Sequence, residues 1–131
     1  MNLSMDIVGL IVTDIEKATA FYRLLGLEFE VDPKYPDHAG CDLPNGLHLM
    51  LDTEESHAST APGWSPTSGG PRSYLSFQTP APADVDAKYA ELTAAGYESS
   101  IEPWDAYWGM RLAAVLDPGG NGVYLYAPLP A

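Results

Sequence analysis

Ile7-Val8-Gly9-Leu10-Ile11-Val12-Thr13-Asp14-Ile15-Glu16-Lys17, running on to Phe21-Tyr22 and Leu25-Gly26, sets the fold. Six mostly apolar residues form a short run of strand length. Asp14 then stands where a helix N-cap belongs, and Ile15, Ala18, Tyr22 and Leu25 recur at helical spacing. Gly26 closes the helix as the residue just past its end. Three further strand-like runs follow, Leu27–Val31, Ala39–Leu43 and Leu47–Leu51, separated by Asp32-Pro33 and Pro44-Asn45-Gly46.

After residue 72 the same order returns. Tyr74–Gln78 reads as a strand, and a Pro-rich turn leads to a helix over about 83–95, with Val85, Tyr89 and Leu92 on one face and Gly96 at its end. Strands are expected at Tyr97–Glu102, Arg111–Leu116 and Val123–Tyr126. Asp117-Pro118-Gly119-Gly120-Asn121-Gly122 joins the last two as a tight turn. Each half is thus read as βαβββ, which is an internal duplication. The expected organisation is one α+β domain over 1–131: module one at about 5–53, a structureless linker at about 54–72, and module two at about 73–128. Trp64, a large aromatic in that polar linker, is expected to dock over a ligand groove or on a neighbouring subunit.

Composition narrows the function. The 131 residues carry 6 basic and 18 acidic side chains, a formal net charge of −12, so a polyanionic nucleic acid is excluded as a partner. The same charge is compatible with a cationic ligand. No apolar stretch approaches the length of a membrane span, and residues 1–6 lack the pattern of a secretory signal. With Cys41 as the single cysteine, a reducing cytoplasmic setting is expected.

The Val12–Lys17 segment leading to Phe21-Tyr22 and Leu25-Gly26, with Asp117-Pro118 and Gly120-Asn121 near the C-terminus, resembles the glyoxalase/bleomycin-resistance protein/dioxygenase (vicinal oxygen chelate) superfamily. The resemblance spans nearly the whole chain. It implies two half-barrel sheets with helices on the convex side and ligand on the concave side. It specifies fold better than activity, because isomerases, dioxygenases, epimerases, thiol transferases and drug-binding proteins share this scaffold.

In metal-dependent members, His and Glu ligands lie on the first and last strands of each module. Strand alternation places Val8, Leu10, Val12, Leu47, Leu49 and Leu51 under the first helix, and Leu75, Phe77, Val123 and Leu125 under the second. The family's ligand positions then fall on Ile7, Met50, Tyr74 and Tyr124, a set with no metal chemistry. No metal, cofactor or catalytic residue is therefore expected. His48 is expected on the cavity face with Asp52, His38 and His57 in loops, and Cys41 as a buried, inert thiol.

What remains is aromatic. Trp104, Tyr107 and Trp108 crowd five residues, and Trp108-Gly109-Met110-Arg111 resembles a segment of drug-binding relatives. The expected ligand-binding set is Ile7, His48, Met50, Trp64, Tyr74, Trp104, Tyr107, Trp108 and Tyr124, suited to a planar aromatic and cationic small molecule. The resemblance implies a homodimeric, bleomycin-resistance-like binder that sequesters an antibiotic or other natural product. The alternatives are a metal-independent isomerase, cyclase or lyase, and a sensory or carrier domain.

Overall fold

The computed structural model describes residues 1–131, which divide into two compact units, Met1–Gly69 and Gly70–Ala131. The first unit runs β1 (Ile7–Val12), α1 (Ile15–Leu24), β2 (His38–Asp42), β3 (His48–Thr53) and α2 (Glu54–Thr60). Its mixed sheet has the order β1-β3-β2, with β3 parallel to β1 and antiparallel to β2. The Asp14 side chain accepts a hydrogen bond from the Lys17 N–H at 2.9 Å, which caps α1 as its sequence position predicts. Gly26 takes a φ of 88°, so the chain leaves the helix by the left-handed turn that favours glycine. Leu10, Val12, Leu49 and Leu51 are buried along with Phe21 and Tyr22 of α1, whose rings meet edge to face at 4.9 Å.

Two expectations fail in this unit. Leu27–Val31 is no full strand; only a bridge between Glu30 and Gly40 remains. The alternation persists all the same, with Phe29 buried while Glu28 and Glu30 are exposed. Solvated carboxylates and Pro33 are a physical reason for the pairing to stop so soon. The stretch expected to lack structure holds α2, whose N-cap Thr53 accepts from the Ser56 N–H at 3.1 Å.

The second unit runs β4 (Tyr74–Gln78), α3 (Pro82–Ala94), β5 (Ser99–Ala106), β6 (Met110–Leu116) and β7 (Gly122–Pro128), with the sheet order β4-β7-β6-β5. This is the expected order, α3 starting with Pro82 in its first turn. Val85 and Leu92 of α3 are buried, as are Val123, Leu125 and Ala127 of β7 and Ala113 and Val115 of β6. The 117–122 turn is built around the buried Asp117 carboxylate. It accepts the N–H groups of Gly119 and Asn121, both at 2.8 Å, and the Asn121 side-chain amide at 3.0 Å.

Gly122 needs a correction. It opens β7 instead of serving the turn, and a Cβ there would lie 3.0 Å from Cβ of Tyr74. Its missing side chain is what lets Tyr74 approach.

Arg111 fixes α3 to the sheet. Its guanidinium donates to both carboxylate oxygens of Asp86 at 2.9 Å, and to Asp105 at 3.1 Å. The bidentate hydrogen bond from Arg111 holds the Asp86 carboxyl below its ordinary range and raises the Arg111 pKa. A depressed carboxylate contributes stability that is present above its unfolded value and lost as pH falls through the folded one. Arg111→Leu is therefore expected to cost under about 1 kcal/mol at neutral pH, because the pair is half in solvent. Chemical melts at pH 7 and pH 3 should show that difference shrinking in acid.

Candidate functional site

Each sheet has one face under its helices and one open face, and the functional candidates lie on the open faces. In the first unit β1 and β3 pair Ile7 with His48, Gly9 with Met50 and Ile11 with Asp52. Across β2 the rows continue from His48 to Asp42, from Met50 to Gly40, and from Asp52 to His38. Met50 is thus flanked on both sides by glycine, and His48, not Met50, stands directly across from Ile7. Ile7 itself is 55% exposed.

His38 was expected in a loop but begins β2, and its Nδ1 lies 2.7 Å from Oδ1 of Asp52. His48 Nδ1 makes a matching 2.7 Å hydrogen bond with Asp42 Oδ1. Sequence reasoning placed His48 and Asp52 on this face and missed Asp42 and His38. The signal was available: two strands joined by the tight Pro44-Asn45-Gly46 turn place each histidine opposite an aspartate. His38, His48 and Asp42 line a cavity of about 500 Å³ with Glu28, Glu30 and Asp32. Cys41 is buried on the helix side, and burial pushes its thiol pKa up, which suits an inert thiol.

His57 also moves from loop to helix, in α2, and Trp64 packs edge-on against it at 5.0 Å between ring centres. Within the first unit this gives Trp64 a partner of its own and leaves it half-buried.

The open face of the second unit is aromatic. Tyr74 and Tyr124 stack at 4.1 Å between ring centres with 24° between planes. One row runs from Trp104 to Leu112, Tyr126 and Gln78, and the Tyr126 hydroxyl hydrogen-bonds the Gln78 Oε1 at 3.2 Å. Trp104 lies inside β5, because that edge strand passes through Pro103 with register shifts and reaches Ala106, beyond its expected end. Tyr107 and Trp108 occupy the turn to β6, with Gly109 at φ 89°. Trp108 meets Trp104 edge to face at 5.7 Å and Tyr107 at 4.8 Å. Tyr74, Trp104, Tyr107 and Trp108 all remain exposed. Arg111 points to the other face and is held by Asp86 and Asp105, so the tryptophan–glycine–methionine–arginine segment brings no cation to this surface, and Asp105 has a structural partner.

A family model for the glyoxalase/bleomycin resistance protein/dioxygenase superfamily matches residues 4–125. The chain belongs to this superfamily. The fold agrees: a superfamily enzyme from Burkholderia phytofirmans superposes with a TM-score of 0.82 at 23% identity, covering 97% of this chain and all of that one. A hypothetical protein from S. aureus gives 0.81 at 21% identity over 97% and 94% of the two chains. A lactoylglutathione lyase from Agrobacterium tumefaciens gives 0.70 at 19% identity over 97% and 95%. None of the curated proteins matches the sequence.

The positions that the resemblance assigns to metal ligands hold Ile7, Met50, Tyr74 and Tyr124 in this chain. Isoleucine offers no donor, a thioether is soft, and tyrosines 74 and 124 are stacked on each other. This set does not fit a divalent cation. Nor does any other group of three His, Cys, Asp or Glu side chains converge on a common point. No helix is long and apolar enough to cross a membrane.

Proposed function

We propose that the chain binds a planar aromatic, cationic small molecule without transforming it and so lowers its free concentration. The observation that carries this reading is the aromatic face of the second unit, where Tyr74, Trp104 and Trp108 are exposed and Tyr124, half-buried, stacks on Tyr74. Such rings stack on conjugated ligands and attract cations through their π faces. Tyr107, at the tip of the turn, belongs to the same surface. In the first unit, taken by itself, Ile7, His48 and Met50 are proposed as ligand contacts on its own open face, with Trp64 in the segment that follows α2. The net charge of −12 favours a positive ligand over a negative one.

Sequestration needs affinity rather than chemistry: micromolar binding corresponds to about 8 kcal/mol and nanomolar to about 12. The proposal includes a homodimer, for which light scattering should give twice the 14.1 kDa chain mass. Thermal melts with planar aromatic cations, proflavine among them, test the binding. A ligand present at 100 times its Kd should stabilise the fold by about 2.7 kcal/mol and be recovered unchanged. A panel that leaves the melt unmoved, or a ligand recovered as product, would overturn the reading.

A further inference from the structure

We propose that the His48–Asp42 pair is a general base for a cationic carbon acid, a protonated imine, in the cavity of the first unit. The Asp42 carboxylate accepts the Nδ1 proton of His48 at 2.7 Å, which leaves the lone pair on Nε2. Nε2 lies over Gly40, where a Cβ would be only 2.9 Å away, so the open backbone of β2 gives the basic nitrogen its place in the cavity. The cavity, about 500 Å³, is large enough for a small molecule.

Charge selects the substrate. Glu28, Glu30, Asp32 and Asp42 line this space, and neither Lys nor Arg does. An anionic enolate would be repelled there, with neither lysine nor arginine in the lining to offset its charge. A protonated imine enters as a cation and becomes neutral on losing its proton. His48 Nε2 takes the proton from the carbon next to C=N. The C–H electron pair becomes the C=C bond, and the C=N π pair becomes the nitrogen lone pair. A neutral enamine and an imidazolium result, with total charge unchanged, and the Asp42 carboxylate faces the new cation. Return of a proton to carbon regenerates the imine, so no oxidant, reductant or second substrate is consumed. His38, held by Asp52 on the same face, lines the cavity beside it.

This activity rests on the first unit and is independent of the aromatic face. The test is hydrogen–deuterium exchange at the methyl and C3 carbons of 2-methyl-1-pyrroline, the two carbons bonded to its C=N carbon, in D2O, followed by proton NMR. The intact protein should speed exchange about 100-fold over buffer, the lower range for a positioned base. His48→Gln should fall to the buffer rate. Gly40→Ala, which displaces only the imidazole end, should fall with it while circular dichroism and the melting temperature stay native. Exchange at the buffer rate with the intact protein, or full exchange in either His48→Gln or folded Gly40→Ala, would overturn the proposal.

Discussion

Asp117→Ala is expected to destabilise the protein by about 2–4 kcal/mol, the largest loss among the changes considered outside the apolar core. Asp117 is 3% exposed, and its carboxylate accepts two backbone N–H groups and one side-chain amide within a single turn. Hydrogen bonds to a charged acceptor are worth more than neutral ones, and water recovers part of the loss at the turn surface. The melting temperature should fall by roughly 8–15 °C for a chain of this size. Asp117→Asn keeps one acceptor oxygen and should lose about half as much. If Asp117→Ala melted within a degree of the parent, the turn would be held by its backbone alone.

Trp104→Ala is expected to separate binding from stability. A fully buried tryptophan typically costs about 3–5 kcal/mol when truncated. Trp104 is 40% exposed on an edge strand, and its described ring contact is the edge-on one with Trp108. Its loss should cost about 1–2 kcal/mol of stability, whereas affinity for a planar aromatic cation should drop at least about tenfold, as for an interface anchor. A paired melt and fluorescence titration reads both. A Trp104→Ala protein that melts far lower yet binds normally while folded would make this residue structural and move the ligand face elsewhere.

Much of the fold was legible because local and global signals agree. Asp14 before an amphipathic run specifies a capped helix, and alternation in Val8, Leu10 and Val12 specifies which strand face is buried. The Asp117–Asn121 turn is equally plain, since few sequences satisfy so many turn donors at once. The missed elements have physical reasons. Thr53 caps α2 through its hydroxyl, but the polar Glu54–Thr60 segment buries no residue, so periodicity gives no sign of it. The reduction of 27–31 to one bridge depends on where β2 pairs, and local propensity does not report that.

The site was less legible than the fold. Aromatic crowding at 104–108 is visible in the sequence, but the strand bulges that carry Trp104 through Pro103 are not. The His38–Asp52 and His48–Asp42 pairs, 14 and 6 residues apart, follow only once the 44–46 turn is used to set the register of β2 against β3. Arg111 is the converse case: the sequence places it within an aromatic segment, and strand parity sends it to the helix side.

The most direct measurement is a proflavine titration followed through the three tryptophan indole N–H signals in nitrogen-15 NMR spectra. The account predicts that the Trp104 and Trp108 signals shift together and saturate at one ligand per chain, with the dye recovered unchanged. Saturable binding that leaves both signals stationary, or no binding at all, would contradict it.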